Sequence, residues 1–278
     1  MNNSNDGDQI KIACPKCSTK QFINVDKAFS KVNCQSCDVR FTVPKIFGDM
    51  MLYDLMASDE YSTTHNGTSL KDGHPCRVRI FNHHIYENTD ILNELKSLIY
   101  KIKEINSDLL LPIRNFGFLG SVFFIEQKGG DEGSLKALMM REKISQKAGL
   151  QYAISICEAV KAAHAQNIIL GNIKPSTIRT LKGRKVILAD LGISATLSAL
   201  LNRKSPNIEP YNNIYYMAPE VLTQGINTLS DTYSAGCVIY KLLCKISPFE
   251  DYLSDQEVLN AHKSIEAVAP KIRKPSLS

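Results

Sequence analysis

The chain has 278 residues, 44% hydrophobic and 22% charged, with a formal net charge of +5. That composition suits a soluble globular protein with one substantial core and a small appendage. No run of 18 apolar residues occurs, and Met1-Asn2-Asn3-Ser4-Asn5-Asp6 has neither a basic start nor an apolar stretch; a membrane anchor and a secretory signal are not expected, and the expected location is cytoplasmic.

Residues 1–9 are expected to be disordered. Beyond them, Cys14-Pro15-Lys16-Cys17 and Cys34-Gln35-Ser36-Cys37 form two C-x-x-C knuckles separated by sixteen residues. Two such turns present four thiolates to one tetrahedral Zn²⁺. Ile10-Lys11-Ile12, Gln21–Val25 and Val39–Val43 each read as a short alternating strand. Residues 10–45 therefore resemble a zinc ribbon with Cys14, Cys17, Cys34 and Cys37 as ligands. Redox pairs or disulfides are the competing reading, against which a reducing compartment and the spacing both count. Cys76, Cys157, Cys237 and Cys244 are expected as packed thiols.

Residues 11–45 carry seven Lys/Arg against Asp26 and Asp38, a local charge of +5. A solvated basic face is the expectation, with nucleic-acid binding as the alternative. The connection at Pro44 is too short to let the ribbon roam.

Tyr53–Met56 reads as a strand, Lys71-Asp72-Gly73-His74 as a hairpin turn and Cys76–Phe81 as the next strand. Ile91, Leu92, Leu95, Leu98, Ile99 and Ile102 stripe a helix over 88–105. A strand is expected at 122–127, long helices at 146–166 and 231–245, and one more at Asp255–Ile265. Four short motifs punctuate this run: Leu170-Gly171-Asn172-Ile173-Lys174-Pro175-Ser176-Thr177, Asp190-Leu191-Gly192, Met217-Ala218-Pro219-Glu220 and Ser230-Asp231-Thr232-Tyr233-Ser234-Ala235-Gly236-Cys237.

In order and spacing these resemble H-R-D-L-K-P-x-N, D-F-G, M-A-P-E and S-D-x-Y-S-x-G-C of the eukaryotic-type Ser/Thr protein kinases, bacterial branch included. The resemblance covers about residues 50–270. It implies an α+β, two-lobed fold, with an N-lobe at 46–128 and a C-lobe at 129–278 that lacks its last helices. That truncation would leave Glu220 without its usual Arg and expose apolar surface suited to self-association or a protein partner.

The reactive positions depart from the family. Asn172 stands where a catalytic Asp accepts the substrate proton, and an amide cannot do so. Thr177 replaces the metal-holding Asn, and Gly171 the Arg that receives an activation-loop phosphate, so phosphorylation of 193–216 is not expected to control the fold. Lys174 and Asp190 remain, the first as a loop charge, the second as a magnesium ligand or a cap for backbone amides. Residues 57–69, at the glycine-rich loop, contain only Gly67. Arg79 stands at the phosphate-gripping Lys, with Glu94 as its helix partner, and Arg77 and Arg179 stand where the adenine should pack. Two arginines there suit an apolar ring only if carboxylates intervene.

The resulting expectation is a zinc-ribbon pseudokinase that binds or scaffolds other proteins, without ATP/Mg²⁺ and without catalysis. A divergent ATP-binding Ser/Thr kinase is the alternative, and a nucleic-acid-binding regulator led by the ribbon the second alternative.

Overall fold

The computed structural model describes residues 9–24, 27–204, 214–252 and 254–277. Residues 1–8, Val25 and the 205–213 part of the 193–216 segment lie outside the described residues. The chain forms two compact units: the residues up to Glu87 with Ile113–Gly130, and Asn88–Pro112 with Asp131 onward.

The first unit begins with two β-hairpins, β1 (Gln9–Ala13) with β2 (Lys20–Asn24) and β3 (Lys31–Asn33) with β4 (Arg40–Thr42). Alternation along these strands turns Ile12, Ile23 and Val43 into a small shared core, with Ile10, Val32 and Phe41 at its margin. The chain then enters β5 (Lys45–Phe47), the edge of a six-stranded antiparallel sheet. Its order is β5, β6 (Met50–Ser58), β7 (Ser62–Ser69), β8 (Pro75–Phe81), β10 (Val122–Lys128), β9 (Ile113–Leu119), with a short helix α1 (His83–Tyr86) after β8. Phe47, Met50, Leu52, Cys76, Val78 and Phe124 build its core, and Phe29 from the hairpin region packs against them. Phe29 also stacks on His65 of β7, ring centroids 5.0 Å apart.

Two expectations for this unit need correction. Residues 57–69 are not an open loop: β6 ends at Ser58, β7 starts at Ser62, and only Asp59-Glu60-Tyr61 connects them. Asp59 Oδ1 accepts from the backbone N–H groups of Tyr61 and Ser62, at 2.9 and 2.7 Å, closing a tight Asx-type turn. Arg77 and Arg79 are also buried, at 4% and 9% exposure, rather than presented openly.

In the second unit, α2 (Thr89–Lys103) is capped by Asn88 and buries Ile91, Leu95, Ile99 and Ile102. This helix, expected with the first lobe at 46–128, packs against the Ile193–Lys204 helix of the second unit. The unit continues through α3 (Leu135–Arg141), α4 (Gln146–Ala165), the hairpin β11 (Ile178–Leu181) and β12 (Lys185–Leu188), α5 (Ile193–Lys204), a 3₁₀ turn (Ile214–Tyr216), α6 (Val221–Gln224), α7 (Thr228–Cys244), α8 (Asp255–Ser264) and α9 (Pro270–Arg273). α4 and α7 pack together, and Ile156, Ala159, Val238 and Leu242 on these helices are all at 1% exposure or less. Asn227 and Ser230 cap α7 reciprocally.

The expected bare C-terminal face is partly covered. Leu277 packs on Tyr240 and Cys244, and Tyr240 donates its hydroxyl to the Val268 carbonyl at 2.7 Å. Leu229 and Ile272 remain 73% exposed. Of the four cysteines outside the knuckles, Cys157 is exposed on α4 while Cys76, Cys237 and Cys244 are buried.

Because Phe29 is the aromatic plug between hairpins and sheet, Phe29→Ala should lower the unfolding free energy by about 2–3 kcal/mol. Denaturant titration of the whole chain checks this; an unchanged midpoint would mean that the hairpins do not stabilise the sheet.

Candidate functional site

The four knuckle cysteines converge. Sγ of Cys14 lies 3.6 Å from that of Cys37, Sγ of Cys17 3.6 Å from that of Cys34, and all four fall within 4.8 Å of one another. A tetrahedron of thiolates about 2.3 Å from a metal places its sulfurs about 3.8 Å apart, whereas a disulfide requires about 2 Å. The donor set therefore fits a metal ion. The two turns repeat each other: N–H of Lys16 points at Sγ of Cys14 and N–H of Ser36 at Sγ of Cys34, each at 3.4 Å. Ser18 and Asp38, each following the second cysteine of its knuckle, both turn left-handed, at φ 60° and 55°. The hydroxyl and amide of Thr19 hold the Cys17 thiol down to about 6, whereas burial and the neighbouring thiols push Cys37 up to about 12.

In the second unit, the Leu170–Thr177 segment is anchored by Asp231. Its carboxylate, 1% exposed, accepts from the N–H groups of Leu170 at 2.8 Å and Gly171 at 2.7 Å and lies 2.9 Å from Nε2 of His164. From that anchor Asn172 reaches Asp190, donating Nδ2–H to Oδ2 at 3.0 Å. The other oxygen of Asp190 accepts from the N–H and hydroxyl of Ser194, at 3.1 and 3.0 Å, and the Asp190 carbonyl accepts from Ile193. Asp190 thus caps the start of α5. Thr177 donates its hydroxyl to the Asn172 carbonyl at 2.7 Å, tying the loop to itself. The cavity beside these groups measures about 10 Å³, room for about one water.

Gly171 has no space for a side chain. At φ 64°, a Cβ there would lie 2.5 Å from Cβ of Ala195 on α5 and 2.7 Å from Cδ1 of Ile226. Gly192, at φ 83°, would put a Cβ 2.5 Å from the Ile169 carbonyl oxygen. The helix following Asp190 therefore occupies the volume that an arginine at position 171 would need.

Arg79 and Arg179 are each held within their own unit. Arg79 donates Nε–H to the Ser62 hydroxyl at 2.7 Å and reaches Oδ2 of Asp59 at 3.3 Å, its guanidinium 5.4 Å from the Phe81 ring centroid. Its expected partner Glu94 is exposed on α2. Arg179 donates from Nε and Nη2 to Oδ1 of Asp131, at 3.0 and 2.6 Å, with side chains only 12% and 6% exposed. The same oxygen accepts from the Gly133 N–H at 3.0 Å. Asp131 is the carboxylate that an arginine at position 179 requires. Its only local signal is Asp131-Glu132-Gly133, an Asx-turn pattern.

The profile of the protein kinase domain family matches residues 120–276. The serine/threonine-protein kinase nekl-2 of Caenorhabditis elegans is 27% identical over 168 residues, 54% of this chain and 44% of that protein. Cell division control protein 7 of Schizosaccharomyces pombe is 25% identical over 202 residues, 72% of this chain and 18% of that protein. A Dictyostelium discoideum protein named as a probable inactive serine/threonine-protein kinase is 32% identical over 141 residues, 49% of this chain and 12% of its own length. The chain thus spans less than half the length of each of these relatives. Because the family profile takes in more than half of its residues, the chain belongs to the protein kinase domain family.

Proposed function

We propose that this kinase-family chain is a zinc-ribbon pseudokinase, a protein-binding module in which phosphoryl transfer has been lost. The observation that carries the reading is the chain of hydrogen bonds from Asn172 through Asp190 to Ser194. A phosphoryl-transfer site needs a carboxylate base and metal-holding oxygens free to reach magnesium. Asn172 is a neutral donor, the Asp190 oxygens accept from Asn172 and Ser194, and the Thr177 hydroxyl is turned inward. Asn172 cannot serve as the base, and the hydrogen bonds of Asp190 and Thr177 compete with magnesium for their oxygens; no catalytic step is assigned to these residues.

The cysteine cluster fits a structural zinc ion, closed by four thiolates and leaving no coordination position for a reactant. No helix among the described residues is long and apolar enough to cross a membrane.

A divergent kinase is the second reading, favoured by the retained Asp190 and Lys174 and by the kinase names of its relatives. The two part on what Asn172→Asp does. A pseudokinase whose Gly171 pocket is filled stays inactive when only the base is restored. The expectation is no transfer of radiolabelled γ-phosphate to itself or to a generic protein substrate, from the native chain or from Asn172→Asp. Transfer abolished by Asp190→Ala would establish the second reading instead.

Two structural outcomes accompany it. Elemental analysis should find about one zinc per chain, lost in a Cys14→Ser/Cys34→Ser double variant; metal retained by that variant would place the ion elsewhere. Asp131→Ala, which strands a buried guanidinium, should destabilise by about 3 kcal/mol. Asp131→Ala with Arg179→Leu should recover much of that loss in thermal melts, and a double variant no better than the single would remove the pair from the account.

A further inference from the structure

The ribbon and the sheet of the first unit enclose a cleft that no step above uses. It measures about 640 Å³, within the range of clefts that hold ligands. Its cause is local. The β6–β7 register jumps between Leu52 and Asp54, so Tyr53 is an extra, bulged residue. β5 pairs only with Met50–Leu52, leaving the outer edge of β6 open from Tyr53 onward among the described residues. Phe41, Thr42 and Pro44 line it together with Ile12, Met51 and the bulged Tyr53. Tyr53 and Leu55 are 40% and 55% exposed, and Phe22, on the strand beside Lys11, is 61% exposed.

Lysines add positive charge to this apolar trough. Lys11 and Lys20, both exposed, line it, and the surrounding residues 11–45 carry seven Lys/Arg against two Asp, a positive balance that survives the −2 of a zinc–tetrathiolate centre. Asp54 is the acidic residue at the open end of the β6 edge. A nucleic-acid strand would need a row of cations tracking its phosphates; here two cations border walls that are otherwise mainly apolar.

We infer that this cleft docks an extended acidic segment of a partner protein, with a large apolar side chain seated between Phe41 and Tyr53 and carboxylates meeting Lys11 and Lys20. The inference gives a place to the protein-binding reading and rests on it. It does not depend on what the second unit does with nucleotide.

The test uses the full zinc-loaded chain as bait for a phage-displayed library of random twelve-residue peptides. The expected enriched sequences carry an aromatic or large aliphatic residue flanked by Asp or Glu. A labelled synthetic copy should bind the native chain in fluorescence anisotropy and lose about tenfold or more in affinity to Lys11→Glu/Lys20→Glu, a charge reversal at the contact. Tyr53→Ala should weaken it comparably, while Lys161→Glu on the exposed face of α4 should leave it unchanged. Zinc content and melting temperature establish that each variant is folded.

No enrichment, enrichment of neutral or basic peptides, or affinity indifferent to the Lys11/Lys20 reversal would each overturn the inference. So would a thymidine oligonucleotide that binds instead and is lost in the same variant, or a dimer that closes the cleft. None of these results bears on phosphate transfer, and phosphate transfer by the native chain would sink the pseudokinase reading without touching peptide binding.

Discussion

The buried carboxylate of Asp231 is the constraint on which the arrangement around Asn172 depends. A charge at 1% exposure is tolerable only when its oxygens are fully engaged. Here they are met by two backbone N–H groups, from Leu170 and Gly171, and by the imidazole of His164. This fixes the backbone at residues 170–171 against α7 and so sets where Asn172 points. From there the amide of Asn172 meets Asp190, and Asp190 starts α5. Around this anchor Asn172, Thr177, Asp190 and Ser194 are joined by hydrogen bonds. α5 and Ile226 fill the space beside Gly171.

Electrostatic pairing follows the same logic in the arginines. A guanidinium near an apolar slot is costly unless a carboxylate accompanies it. Arg79 has Asp59 and Arg179 has Asp131, each within its own unit. Asp59 closes the β6–β7 turn and Asp131 caps the turn at Gly133, so each pair also fixes backbone. The charges that look misplaced in the sequence have become local staples.

Much of the fold was legible because it rests on periodicity and spacing. The stripe along α2, the long helices α4 and α7, and the two knuckles all follow from residues close in sequence. What was not legible is non-local. Arg179 and Asp131 are 48 residues apart, and nothing in either neighbourhood names the other. The tight turn at Asp59 was hidden because a run of Ser, Thr and Asn looks like loop, whereas pairing on both edges makes β7 a strand. The helix at Ile193–Lys204 was missed because the resemblance supplied an activation segment there. Gly171 read as a lost arginine; only the packed fold reveals that Ala195 and Ile226 leave no volume for one.

The central claim, that the groups needed to hold a magnesium nucleotide are already committed, is tested most directly by thermal unfolding of the zinc-loaded chain with and without millimolar Mg²⁺-ATP. A ligand at about 100 times its Kd stabilises the native state by about 2.7 kcal/mol, a shift readily seen in a melt. The melting temperature is expected to stay unchanged. A clear, magnesium-dependent rise that disappears in Asp190→Ala would contradict it.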